Sequence, residues 1–231
     1  MHCTYCATMI RPAHWPIFMP GRTGLRYGDG RIICAPCHRT AIKHGHQLEA
    51  VWQHVRHCFA ELGLTIRWDQ VFLRLQDRRA MQQVGANTVG YAQVVICRDR
   101  IDSRVVMLYG MPAALAVETL AHELGHVWCC EQHVRFSPDS KDEEGFCNVL
   151  GCLALQRLGQ QHNAPERIRA MFANPDPVYG EKFRQQWQTM QKLGWNDYRQ
   201  QLLRTPVTGH VMVAHGIKCC ANVPGIQVWV I

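Results

Sequence analysis

Apolar positions three and four apart mark the first long helix. Leu48, Val51, Trp52, Val55, Phe59 and Leu62 fall on one face, which predicts an amphipathic helix over residues 47–62 that Gly63 stops. From Leu64 to Tyr109 the pattern changes to short β-rich runs, LTIRW, VFLRL, AQVVIC and VVMLY. They predict a small sheet, broken by a helical turn around Asp77–Val84. Beyond Met111-Pro112 the helical period returns and lasts to about residue 204, in segments from Ala113 to Cys130, Asp142 to Leu158, Pro165 to Phe172 and Tyr179 to Leu193. Strands first and helices after predict an α+β fold. Residues 206–231 are β-prone again and carry no functional reading.

Residues 1–40 lack such periodicity and are rich in Cys, Gly and Pro, the composition of a small unit that needs a metal to hold it together. The expected organisation is a zinc module over 1–45, a main domain over 46–205 and a tail over 206–231. With 47% hydrophobic and 19% charged residues in 231 positions, disordered and collagen-like classes are excluded. No apolar run approaches the ~20 residues of a membrane helix. The opening MHCTYC has no basic-then-apolar leader, so the expected compartment is the cytoplasm. Lys and Arg outnumber Asp and Glu by 25 to 18, and the whole excess lies in residues 1–117. It forms no clustered run there, so it reads as a dispersed solvated surface, and nucleic acid is not an expected partner.

The chemistry lies in two places. Residues 118–128, ETLAHELGHVW, contain His122-Glu123-Leu124-Gly125-His126, an HExxH motif. Four residues apart on a helix, the two imidazoles share a face and can converge on one metal, while Glu123 reaches a water bound there. The apolar neighbours Leu120, Ala121, Leu124, Val127 and Trp128 suit a helix buried under an active site. A catalytic zinc takes three protein ligands and leaves a position for water. The third candidate is Glu144, on the next helix with seventeen residues between it and His126, a separation similar to that of thermolysin-type peptidases. The metzincin pattern fails, because Cys129 and Gln132 stand where its Gly and third His would be.

Asp142 and Glu143 are read as an acidic helix start that favours the macrodipole. Glu144 is preferred over Glu143 because it precedes Gly145, where the helix can approach a neighbour, and sits one turn before Asn148. Asn148 is then placed to orient His122 or His126 through its distal nitrogen. In this reading zinc lowers the pKa of its water to about 7 and Glu123 takes the proton as the water attacks an amide carbonyl.

The second place is the pair of CxxC knuckles Cys3/Cys6 and Cys34/Cys37. Four thiolates are the ligand set of a closed structural zinc. The alternative, redox CxxC chemistry, lacks the strand-helix setting it needs. Cys58, Cys97, Cys147 and Cys152 lie in apolar stretches and read as small buried hydrophobes. The cofactors expected are thus two zinc ions, one catalytic and one structural. A rival class is a zinc-ribbon binding protein for nucleic acid or protein whose HExxH helix is inactive; a hydrolase of non-peptide amides shares the zinc chemistry.

The blocks Gly28-Asp29-Gly30-Arg31 before Cys34-Ala35-Pro36-Cys37, then VVMLYGMP, LAHELGHVW, DEEGFCNVL and DPVYGEKFR, occur in an order similar to the plant DA-one family of LIM-domain organ-size peptidases. The resemblance covers about residues 1–205. It implies a zincin-like, thermolysin-type peptidase domain whose HExxH carries activity, behind a LIM-like module that helps present protein substrates. It also implies an oxyanion donor at Tyr179 or in the backbone of Leu108-Tyr109-Gly110. The chain departs from the plant pattern in having four cysteines before the first helix and no room for ubiquitin-interacting helices or a two-zinc LIM domain. It resembles a compact, prokaryotic-type relative with a zinc ribbon in place of the full LIM domain.

Overall fold

A computed structural model of the chain describes residues 1–11, 23–97, 100–137, 140–204 and 226–230. The N-terminal part is a two-stranded antiparallel hairpin, β1 (Gly24–Arg26) and β2 (Ile32–Cys34), followed by the short helix α1 (Ala35–Arg39). Between the strands Arg31 is buried with its guanidinium on Asp29, 2.6 Å from Oδ2, and over the Tyr27 ring at 5.0 Å. The Gly28-Asp29-Gly30-Arg31 block is thus a turn that folds its charge back onto itself.

Helix α2 (Gly45–Glu61) follows the spacing of its apolar face, which is buried at Leu48, Val51, Trp52, Val55 and Phe59. Gln47 accepts from the His44 amide at 3.1 Å at its start. Gly63, at φ +66°, ends it. The Leu62 carbonyl left over there accepts from the Trp195 indole at 2.8 Å.

Three of the four apolar runs are strands: β3 (Val71–Gln76), β4 (Gly90–Cys97) and β5 (Arg100–Leu108). The helical turn between them is α3 (Arg78–Gln82), with Asp77 accepting from the Ala80 amide at 2.9 Å. LTIRW is not a strand. Its alternation is real, with Leu64 and Ile66 buried, but among the described residues no strand pairs with it. Its Arg67 amide instead donates to Glu131 at 2.9 Å, and its Thr65 carbonyl accepts from Gln132 at 3.3 Å. Period-two burial needs a core on one side only; a ladder needs a partner as well. The sheet order is β3-β5-β4-β6, with β3 parallel to β5 and the other pairs antiparallel. Strand β6 (Ile226–Val230) comes from the β-prone tail, most of which lies outside the described residues.

Behind the sheet lie α4 (Ala113–Glu131) and α5 (Asp142–Leu158). Between Ala113 and Cys129 only Leu115 and His122 escape full burial, so α4 is buried all round, as a central helix is, with Glu118, Glu123 and His126 among its buried polar groups. The two helices approach closely at Gly125, where a Cβ would stand 2.9 Å from the Cys147 sulfur. Helix α6 (Ala164–Ala173) is tied to α4 by the half-buried Arg167–Glu118 ion pair, whose second contact is 2.8 Å. The expected helix from Tyr179 starts instead as a π-helical turn, Pro177–Glu181, and continues as α7 (Lys182–Leu193) and α8 (Trp195–Arg204). Gly145 meets the first residue of α7, where a Cβ would be 2.6 Å from the Lys182 carbonyl oxygen. Cys58, Cys147 and Cys152 are buried as expected; the Cys97 side chain lies outside the described residues. Among the described residues no helix is long and apolar enough to cross a membrane.

Candidate metal centres

Helix α4 presents His122 and His126 one turn apart, and the first turn of α5 brings Glu144 against them. Nε2 of His122 lies 3.2 Å from Nε2 of His126 and 3.2 Å from Oε2 of Glu144; the third side is 3.8 Å. Donors held 2.0–2.1 Å from one tetrahedral zinc lie about 3.4 Å apart, so the triangle has the size a zinc demands. Glu144 Oε2 is buried and, although close to both imidazoles, is directed at neither as a hydrogen bond. An orphaned carboxylate oxygen between two imidazoles is costly without a cation. The charge pattern agrees: burial would raise the Glu144 carboxyl, but the neighbouring imidazoles hold it down at about 2.

Each imidazole is oriented from behind. Nδ1 of His122 is 2.9 Å from Oδ1 of Asn148. The Asn148 amide is fixed the right way round because its Nδ2 donates to the Tyr179 carbonyl at 3.1 Å. His122 therefore carries its proton on Nδ1 and turns the Nε2 lone pair to the site. Nδ1 of His126 meets Glu143 Oε1 at 2.8 Å. Burial pulls the His126 imidazole down, but the Glu143 hydrogen bond and the charge of Glu144 outweigh it and hold the pKa at about 9.

The orienting role of Glu143 was not legible as a helix-start charge. It faces away from the donor triangle, as its 100° offset from Glu144 requires, and lands on the far nitrogen of the second histidine. The available signal was arithmetic: two imidazoles that would hold a metal need two outward partners, and Asn148 supplies one.

Glu123 is 7% exposed and has the donor triangle on one side and β4 on the other. A Cβ on Gly90 would stand 3.2 Å from Glu123 Oε1 and 2.3 Å from the Thr119 methyl, so glycine gives the carboxylate its room. Burial pushes the Glu123 carboxyl up; the two imidazoles and the Ala92 amide, which faces it, oppose the rise. A buried carboxylate beside convergent metal donors has the position a general base needs.

Tyr179 sits on the π-helical turn, its start held by Asp176 Oδ1, which accepts from the Val178 and Tyr179 amides at 2.8 Å. Its ring is half exposed, 6.4 Å from the His122 ring. The charge of Glu144, then burial, push its phenol up to about 12, so it stays a proton donor. The other candidate donor, the backbone of Leu108-Tyr109-Gly110, is not free. Those three amides donate to Val89, Gln76 and Ile42 carbonyls at 2.9, 2.7 and 2.7 Å. This strand end is paired on both sides, which removes its amides as an oxyanion hole.

The four N-terminal cysteines converge as well. All four sulfurs lie within 4.8 Å of one another, and those of Cys6 and Cys34 are 3.6 Å apart. Thiolates 2.3 Å from a tetrahedral zinc would be about 3.8 Å apart. The Cys34 amide donates to the Cys3 sulfur at 3.3 Å. Burial opposes ionisation of Cys6, but the Thr8 hydroxyl and amide and the neighbouring thiols hold it down at about 7, whereas burial pushes Cys37 up. Cys3, Cys34 and Cys37 are buried in a small apolar cluster of their own, with Ile10 and Ile33.

The matched family span, residues 35–173, takes in Cys37, the whole His122-to-Glu144 constellation, Glu143 and Asn148; it leaves out Cys3, Cys6, Cys34 and Tyr179. It is narrower than the resemblance read from the sequence. No curated protein and no solved structure matches the chain. Since the span described as DA1-like, Protein DA1, covers more than half of its residues, the chain belongs to the DA1-like family.

Proposed function

We propose that the protein is a zinc-dependent metallopeptidase of zincin-like, thermolysin-type fold that hydrolyses peptide bonds of protein substrates. The observation that carries the reading is the buried carboxylate of Glu123 beside a zinc-sized triangle of His122, His126 and Glu144 whose imidazoles are each oriented from behind. A zinc held there would polarise the scissile carbonyl and acidify a water to a pKa near 7.

The chain's own groups do the rest. Glu123 accepts the proton of the attacking water and passes it to the leaving nitrogen. Tyr179, a neutral phenol beside the site, donates to the oxyanion. Asn148 and Glu143 hold the rings. The Cys3, Cys6, Cys34 and Cys37 cluster holds a structural zinc in a module that meets a protein partner and helps present substrates. Its Tyr27 ring packs on Gly110, in the segment leading into α4, so the module is joined to the catalytic helix through a short path. A pure binding module would have no use for a buried base beside oriented imidazoles, and the dispersed basic surface gives nucleic acid no footprint.

The test is cleavage of a chemically unfolded protein by zinc-loaded chain. Cleavage should stop on chelation and return with added zinc. Cleavage that persists after the His122 and His126 site is stripped would refute the reading.

A further inference from the structure

Strand β4 has two edges. Along one it pairs with β5 from Gly90 to Cys97; along the other it pairs with β6 only from Gln93 to Cys97. Among the described residues Gly90, Tyr91 and Ala92 have no strand on that second edge. This short open stretch is the part of β4 that lies on α4. Gly90 abuts Thr119 and Glu123, and the Ala92 amide faces the Glu123 carboxylate. Strand β6 runs antiparallel toward it, and its last residue, Val230, stands opposite Gln93, next to Ala92. The added strand therefore runs along the β4 edge and stops beside the base.

An open sheet edge is a template for an extended peptide, with main-chain hydrogen bonds giving affinity. A peptide laid on β4 beside Glu123 at Gly90–Ala92 and continuing along the strand would need the backbone groups of Gln93–Cys97 that β6 uses. Only one strand can hold them. We infer that residues 226–230 are an intramolecular occupant of the edge on which this peptidase takes its substrate, competing with substrate until displaced. The inference rests on the peptidase reading for what the edge is for. It also names the substrate class: extended, unfolded segments with β-branched and aromatic side chains, as in the occupant's own Ile-Gln-Val-Trp-Val. A tethered competitor faces its site at an effective concentration on the order of mM, enough to suppress binding of dilute peptide.

The test uses the full chain carrying Glu123→Gln, with and without Gln227→Pro and Val228→Pro together. Prolines at adjacent positions must remove at least one ladder donor. The probe is a fluorescein-labelled Ile-Gln-Val-Trp-Val peptide, followed by anisotropy. It should bind the proline variant at least tenfold more tightly than the parent; equal affinity, within twofold, overturns the inference. Should the proline chain fail to fold, Val228→Asp is measured in its place against the same threshold. With Glu123 restored, the initial rate on an unfolded protein should rise in the same proportion. Tighter peptide binding with no cleavage by either chain would retire the peptidase reading and leave the occupied edge standing. Equal affinity with equal cleavage would do the reverse.

Discussion

The two metal-donor clusters are built on opposite principles. In the cysteine cluster the donors come from a short N-terminal loop, the end of β2 and a five-residue helix, and among the described residues the apolar cluster around them is Cys3, Ile10, Ile33, Cys34 and Cys37 at full burial. In the histidine cluster the donors project from α4 and α5, which are buried over most of their length in the main core. A metal in the first would substitute for a small core; in the second the core exists already, and a metal would be an addition to it. The first should therefore unfold locally without its ion, and the second should persist empty.

Replacing donors one cluster at a time is the hardest test of that contrast. Glu144→Ala should lose one zinc equivalent and reduce peptide cleavage to background while the Cys cluster stays loaded and the melting temperature changes little. Cys34→Ser should do the opposite: residues 1–40 lose hydrogen-exchange protection while α4 and α5 keep theirs. Loss of protection in α4 would show that the module and the main core are one cooperative unit.

Smaller effects sharpen the picture of the orienting groups. Asn148→Ala and Glu143→Ala should each weaken zinc affinity or activity about 10 to 100-fold, read by competition with a chelating dye. Zinc affinity at this site should also rise with pH. The His126 imidazole is held up at about 9 without metal, so below that pH zinc must displace its proton, and affinity falls as pH drops. A flat profile between pH 6 and pH 8 would contradict the Glu143–His126 coupling. Comparable in size, Gly90→Ala should cost about 1–3 kcal/mol in stability, because its Cβ would press on Thr119 and Glu123; denaturant unfolding measures it.

How much of this was legible in sequence follows from the range of each interaction. The α2 face, the buried α4 and the pairing of Glu144 with Asn148 rest on spacings of three and four, which the chain carries locally. The four cysteines converge as two knuckles do. What failed was non-local. LTIRW alternates like a strand, but its hydrogen bonds go to Glu131 and Gln132, some 64 and 67 residues away. The Leu108-Tyr109-Gly110 amides, offered as oxyanion donors by the resemblance, are taken up by Val89, Gln76 and Ile42, which come from three separate segments. Glu143 was readable as a charge but not as a partner, since nothing in its neighbourhood names His126. The tail was legible as β-prone, yet only the register with β4 shows that its strand β6 brings Val230 opposite Gln93, next to Ala92.

The central claim is that Glu123 is the base and not a ligand, in a site whose ligands are His122, His126 and Glu144. Zinc content and turnover on an unfolded protein, measured on the same preparation of Glu123→Gln, test it most directly. The account predicts the full zinc content of the parent with activity down by about three orders of magnitude or more. Near-parent turnover would contradict the mechanism, and a missing zinc equivalent would contradict the ligand set.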